Sequence, residues 1–202
     1  MRLIAEDLSG ERGGQPVFAG IDFSLAEGDA LIVTGPNGSG KSTLLRVVAG
    51  LLPATGGGVR LEGGGEAFPT AASAAHYLGH LNAMKPTLTV AENLSFWRDF
   101  CGEPELSVEA ALDTVGLDGI GHLPFGYLST GQKRRAAIAR LLVSRRPLWL
   151  LDEPTAGLDA ASERRFFVLM EKHRAGGGMI LAATHLPLGM EKVQELRMGE
   201  AA

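Results

Sequence analysis

The stretch GPNGSGKST, Gly35 to Thr43, fits the pattern G-x-x-x-x-G-K-[ST]. In such a loop Gly35, Gly38 and Gly40 let backbone N–H groups converge on phosphate oxygens, with Pro36, Asn37 and Ser39 filling the turn between them. Lys41 has the reach for a β- and γ-phosphate, Ser42 can place its hydroxyl on Mg2+, and Thr43 closes the loop on the α-phosphate side. An apolar run, ALIVTG, precedes the loop and a helical run, KSTLLRVVAGLL, follows it, which is the strand-to-helix setting this chemistry needs. The motif specifies a nucleoside triphosphate. It leaves kinase, GTPase and ATPase open.

A second chemical signal ends the run LWLLDEP. Apolar residues of this kind form strands buried in parallel sheets, and ligands sit at the carboxyl ends of such strands. There Asp152 suits Mg2+, held directly or through water, and Glu153 suits the polarisation of an attacking water. A plain solvated turn is the competing reading of D-E-P, and the phosphate loop upstream weighs against it. The next β run, GMILAATH, ends in His185. That puts an imidazole on the same sheet edge, where even its neutral form donates one N–H to a γ-phosphate.

The third signal is YLSTGQKRRAAIARLL. Ser129 is a good N-cap, and Ser129, Thr130, Gly131 and Gln132 open a helix whose exposed N–H groups form an anion site. No lysine and no leading strand accompany it. One reading is a second cradle serving a nucleotide held by another copy of the chain. The other is an ordinary capped helix with a solvated basic face of Lys133, Arg134, Arg135 and Arg140.

The elements that position these residues alternate. MRLIAEDL and PVFAGIDFSLAEGD read as β structure, and AAHYLGH as a further strand. AASERRFFVLMEKHRAG reads as a helix with a glycine stop. LTVAENLSFWRDFCG and SVEAALDTVGL read as amphipathic helices, so roughly 84–127 is a helical insert in an α/β fold with a mostly parallel sheet. The 202 residues suit one domain, 1–202, and a net charge of −4 gives no reason to expect nucleic acid as partner. Cys101 is the only cysteine, which rules out an internal disulfide. The start, MRLIAEDLSGERGG, lacks the apolar region of a signal peptide, and no run has the length of a membrane span.

LSTGQ closely resembles the L-S-G-G-Q signature of ABC-type ATPases, with Thr130 for the first glycine. Phosphate loop, helical insert, signature, LLDEP, AGLD (Ala156–Asp159) and Thr184-His185 follow in that family's order. The resemblance implies a P-loop ABC-type ATPase with a RecA-like core, an antiparallel β subdomain and a helical subdomain. It also implies ATP, Mg2+ and a homodimer that sandwiches ATP between the phosphate loop of one copy and the signature of the other. In that dimer Asp159 contacts the partner's phosphate-loop region.

Two departures narrow the resemblance. The glutamine usual in ABC domains between the second glycine-rich region and the helical insert is matched here by His80, in HYLGHLNAMKPTLTVAENL. A metal site of His80 with His76 is a rival with too few ligands. The usual adenine-stacking aromatic upstream of the phosphate loop is missing from GERGGQPVF, where Arg12, by its guanidinium, and Phe18 are the candidates. YLGH…LTVAENLSFW, LSTGQKRRAAIARLL and the RG…VF start resemble the CcmA family, the ATP-binding subunit of the cytochrome c maturation, or haem exporter, complex. The end soon after His185 agrees with that family's short chains. The resemblance implies integral membrane subunits of CcmB and CcmC type, peripheral attachment to the cytoplasmic face of the bacterial inner membrane, and ATP-driven haem release or transfer. There is no C-x-x-C-H and no direct haem binding is expected. The alternatives are the ATPase of another ABC exporter or importer, with identical motifs, and a soluble ABC module acting as a nucleotide-dependent clamp.

Overall fold

The computed structural model describes residues 1–185, 190 and 192–199. The chain divides into two compact units. One comprises Met1–Gly79, Pro147–Pro154 and Met170–Ala202; the other comprises His80–Arg146 and Thr155–Leu169.

In the first unit, alternating burial along β1 (Arg2–Arg12) and β2 (Gln15–Ala26) makes an antiparallel hairpin with one apolar face. β1 also pairs with β4 (Gly56–Glu62), giving the sheet order β2-β1-β4. The alternation slips at Asp7, which has φ +47, and the hairpin register shifts between Ala5 and Leu8. That bulge lets Leu3, Ala5 and Leu8 all reach the core.

The second sheet is parallel, in the order β5-β6-β7-β3-β8: β3 (Ala30–Thr34), β5 (Ala75–Leu78), β6 (Leu148–Asp152), β7 (Met179–Ala183) and β8 (Gln194–Arg197). β6 and β7 are buried along their whole length, as the apolar runs LWLL and MILAA require, with Asp152 buried at the end of β6. Helix α1 (Lys41–Val48) packs on β1 on one side and on β6 and β7 on the other. Leu44, Leu45, Val47 and Val48 thereby join the two sheets in one core with Leu25, Val33, Leu150 and Leu181. A one-turn helix, α2 (Ala71–Ala74), leads into β5 behind a Thr70–Ser73 capping box. Neither α2 nor β8 is signalled by apolar periodicity. β8, QELR, is an edge strand exposed at three of its four positions.

In the second unit α3 (Val90–Cys101), α4 (Val108–Thr114) and α5 (Thr130–Leu142) pack on one another. Thr89 and Glu92 form a capping box for α3, and Ser107 caps α4. The segment before α3 is tied down by Asn93, which accepts from the Lys85 N–H at 2.7 Å and donates to the Lys85 carbonyl at 3.0 Å. Trp97 Nε1 donates to the Ala83 carbonyl at 2.7 Å. Helix α6 (Ala160–Ala175) follows the AGLD segment. No helix among the described residues is long and apolar enough to cross a membrane.

Candidate nucleotide site

Three neighbouring strands end together. Val33 on β3 and Asp152 on β6 both pair with Ala183 of β7. Beyond these ends the chain continues as the phosphate loop, as Glu153-Pro154 and as Thr184-His185. Because β7 lies between β3 and β6, the dipeptide with His185 falls between the loop and the acidic pair along one edge.

The loop passes under Met198, whose carbonyl oxygen would lie 2.3 Å from a Cβ at position 35, so only glycine fits there. Gly40 is the N-cap of α1 at φ +96, with no side-chain cap and no acidic residue in the first turn. The first intrahelical bond runs from Leu44 N–H to the Gly40 carbonyl at 2.8 Å. The N–H groups of Lys41, Ser42 and Thr43 therefore precede the helical ladder and are left, with the positive end of the helix dipole, for an anion. Lys41 Nζ donates to the carbonyls of Gly35 at 2.7 Å and Pro36 at 2.8 Å. The lysine is thus folded over its own loop.

Ser42 Oγ donates to Asp152 Oδ1 at 2.8 Å. That bond uses the hydroxyl proton and leaves lone pairs for a hard cation, so a hydroxyl and a carboxylate of the kind Mg2+ prefers stand side by side. The other carboxylate oxygen, Oδ2, accepts from the Tyr77 hydroxyl at 3.2 Å, and Arg46 Nε donates to that hydroxyl at 3.3 Å. Burial pushes the Tyr77 phenol above its ordinary value, and the Arg46 hydrogen bond opposes the rise. Arg46 is held in its charged form chiefly by the same bond. Neither Tyr77 nor Arg46 was expected at the site. Arg46 follows Ser42 by one helical turn, a spacing that could have found it.

Glu153 has φ +45, a conformation that costs a non-glycine residue on the order of 1–3 kcal/mol. Its N–H bonds the Ala183 carbonyl at 2.9 Å, and its Oε1 lies 3.0 Å from His185 Nδ1. The turn thus brings together the candidate water-activating carboxylate and the candidate γ-phosphate ligand.

In the second unit Ser129 Oγ accepts from the Gln132 N–H at 3.3 Å, and Gln132 Oε1 accepts from the Ser129 N–H at 2.9 Å. This capping box leaves the Thr130 and Gly131 N–H groups, by their position, without intrahelical partners. Asp159 Oδ1 accepts from the Ser162 N–H at 2.8 Å, and that bond holds its carboxyl below the ordinary range.

The chain matches the ABC transporter family over residues 18–156. It is 72% identical to the cytochrome c biogenesis ATP-binding export protein CcmA of Mesorhizobium japonicum over 201 residues, 100% of each chain. It is 66% identical to the protein of that name from Chelativorans sp. over 98% of each chain. Against the Brucella abortus protein the identity is 61%, over 95% of this chain and 88% of the other. The chain is an ABC-type ATPase of the CcmA family. Two solved structures share its fold. An ABC transporter ATP-binding protein from Pyrococcus furiosus has a TM-score of 0.82, with 20% identity over 98% of both chains. A bacterial ABC transporter cassette solved as a dimer has a TM-score of 0.81, with 22% identity over 96% of this chain and 94% of that one.

Within this family frame three readings of the sequence change. The solvated basic face of α5 does not exist as such. Arg134 and Arg140 are 5% and 3% exposed. Arg140 lies 4.7 Å from the centre of the Trp97 ring, and burial lowers it to about 10. Arg135 Nη1 donates to the Gly116 carbonyl at 2.8 Å. Phe18 is not placed to stack on a base, because it is buried against Gly10 and Gly40. Arg12, at the end of β1 and paired with Gln15, is exposed. The His76–His80 metal rival fails as well. His76 is buried, and no cluster of three or more His, Cys, Asp or Glu able to hold a metal occurs among the described residues. His80 itself is exposed. Thr130, in place of the usual signature glycine, occupies the first helical position, where a side chain is tolerated; its methyl lies 3.6 Å from where a Cβ of Gly157 would stand.

Proposed function

We propose that this chain is the ATP-hydrolysing subunit of a membrane complex that serves cytochrome c biogenesis by haem export or by release of a haem-loaded chaperone. The observation that carries the reading is the shared ending of β3, β6 and β7. It gathers the phosphate loop, Asp152, Glu153 and His185 on one edge. The haem assignment is supported by the names of the full-length relatives.

Gly35 to Thr43 bind the triphosphate through backbone N–H groups, Lys41 balances its charge, and Arg12 lies on the base side. Ser42 and Asp152 hold Mg2+, the aspartate through water. Mg2+, when bound, spreads the charge of the β- and γ-phosphate oxygens. Glu153 accepts hydrogen bonds from the water that attacks the γ-phosphorus, and His185 holds a γ-oxygen while supporting Glu153. The bond to the bridging oxygen breaks, and ADP and phosphate leave.

Ser129, Thr130, Gly131 and Gln132 present their helix end to ATP held by a second copy, with Asp159 against that copy's phosphate loop. The exposed apolar residues of the second unit, Leu81, Phe96 and Phe100, support docking of integral membrane subunits of CcmB and CcmC type beside His80. The subunit then sits peripherally on the cytoplasmic face of the inner membrane, and the partners handle haem.

Glu153→Gln tests the catalytic part. The variant should retain ATP affinity, lose hydrolysis at least a hundred-fold on the order expected for a general base, and elute as a dimer with ATP. A monomer that still hydrolyses ATP would sink the reading. Affinity purification from detergent-solubilised membranes tests the rest. Recovery of a different permease would overturn the haem assignment and keep the ATPase.

A further inference from the structure

The hydrogen bonds around Asp152 extend past the residues that the nucleotide chemistry uses. Its two carboxylate oxygens have separate donors, Ser42 on Oδ1 and Tyr77 on Oδ2. A carboxylate held at one oxygen can swing about its Cβ–Cγ bond, whereas one held at both has its plane set. Tyr77 is itself held. Arg46 Nε donates to its hydroxyl, so the phenol's lone pair is occupied and its proton is directed to Asp152.

The backbone is shaped to permit this. A Cβ at position 79 would lie 2.6 to 2.9 Å from Cε1, Cζ and the hydroxyl of Tyr77. No side chain except that of glycine therefore lets the ring fold back over the chain just after β5. Tyr77 is also set laterally, since it pairs with Leu150, two residues before Asp152 on the adjacent strand. Arg46 and Ser42 sit one turn apart on the same face of α1, so one helix supplies both the direct and the indirect contact.

We propose that Tyr77 is a positioning residue for the cation site: its hydroxyl, backed by Arg46 and given room by Gly79, fixes the Asp152 carboxylate in the orientation that receives the hydrated cation of the nucleotide complex. The proposal rests on the reading of Asp152 as a cation-holding group. Tyr77 touches neither nucleotide nor cation, so its removal should separate metal affinity from nucleotide affinity.

The test uses the full-length chain, with Mn2+ as the probe, followed by electron paramagnetic resonance in the presence of ATP. A fluorescent ATP analogue in chelator gives the metal-free nucleotide affinity. Tyr77→Phe should weaken Mn2+ binding by about three- to ten-fold, the scale of one ordinary net hydrogen bond. It should raise the Mg2+ concentration for half-maximal hydrolysis by a similar factor and leave metal-free nucleotide affinity within two-fold. Gly79→Ala, which keeps the hydroxyl group but displaces the ring that carries it, should reproduce the metal effect. Asp152→Asn sets the reference. If it weakens Mn2+ binding while folded Tyr77→Phe and Gly79→Ala bind Mn2+ as the wild type does, the positioning role of Tyr77 is wrong and the cation site stands. If Asp152→Asn itself leaves Mn2+ binding unchanged, the cation site falls and the role of Tyr77 falls with it. Equal loss of metal-free nucleotide affinity and Mn2+ affinity in Tyr77→Phe would show general disruption and also overturn the proposal.

Discussion

Helices α1 and α5 both begin with small residues and glycine, yet their N-termini are built in opposite ways. At α1 the N-cap is Gly40 in a left-handed conformation, without a side chain to satisfy any backbone donor. At α5 the N-cap is Ser129 in an extended conformation, and a reciprocal pair with Gln132 satisfies two donors. The first terminus therefore leaves its dipole and its free N–H groups open to an anion. The second is stable as it stands and offers only Thr130 and Gly131 to whatever approaches. In the proposed dimer the unfinished end would bind the nucleotide of its own chain, and the finished end would close on the nucleotide of a second copy.

Filling the first terminus should do the most damage. Gly40→Ala forces a Cβ onto a residue at φ +96 and drives it to 2.7 Å from Val17 Cγ1 and 3.3 Å from the Met198 methyl. Backbone strain of about 1–3 kcal/mol adds to the overlap. The expected result is a fall in ATP affinity of at least ten-fold on that scale, with a lower thermal midpoint, read by calorimetry with and without nucleotide. Unaltered affinity would mean that the unfilled cap is incidental to phosphate binding.

Acid should sharpen the contrast between the two units, because the half-buried His173 lies in the phosphate-loop unit. The His173 ring stacks on Trp149 of β6 with centres 4.1 Å apart, and its Nε2 is buried without a hydrogen-bond partner. Burial lowers His173 to about 4, against the pull of backbone hydrogen bonds at Met179 and Pro147. An unfolded histidine takes its proton near pH 6.5. Between about pH 6.5 and 4 the unfolded chain thus binds a proton that the folded chain refuses, and stability falls as pH falls. The loss from pH 7 to pH 5 is on the order of 2 kcal/mol. Urea unfolding followed by Trp149 fluorescence, in a Trp97→Phe background, should show it. His173→Phe, which keeps the stack and cannot titrate, should flatten the dependence. A slope unchanged by that substitution would assign the acid sensitivity elsewhere.

The chemistry of the site was legible because its residues lie in short, locally ordered motifs. GPNGSGKST, LLDEP and ATH each end or follow an apolar strand, and a strand end is a local property. What lay outside local pattern was lateral. Nothing in MILAA says that β7 separates β3 from β6, although this insertion puts His185 beside Glu153. Tyr77 reads as one more strand aromatic until β5 is known to lie against β6. Arg134 and Arg140 read as solvated because a charge is ordinarily so; for Arg140 the burial goes with α3 packing on α5 and bringing Trp97 over the guanidinium. β8 is not legible in the sequence because an exposed edge strand has no apolar period.

The smallest expected effect is the most discriminating test of the comparison. Ser129→Ala removes the acceptor for the Gln132 N–H and should cost about 1 kcal/mol. The loss should appear in the unfolding of the helical unit. ATP affinity of the isolated monomer should stay within two-fold, because the phosphate loop and its partners are untouched. Ser129→Gly should recover most of the stability, since glycine at an N-cap costs only a few tenths of a kcal/mol. If the serine serves only as a cap, that recovery should bring hydrolysis back with it. If its hydroxyl also meets a phosphate held by a second copy, stability will return in Ser129→Gly while hydrolysis stays low. A drop in monomer ATP affinity as large as that of Gly40→Ala would erase the distinction, because both helix ends would then be binding the same nucleotide within one chain.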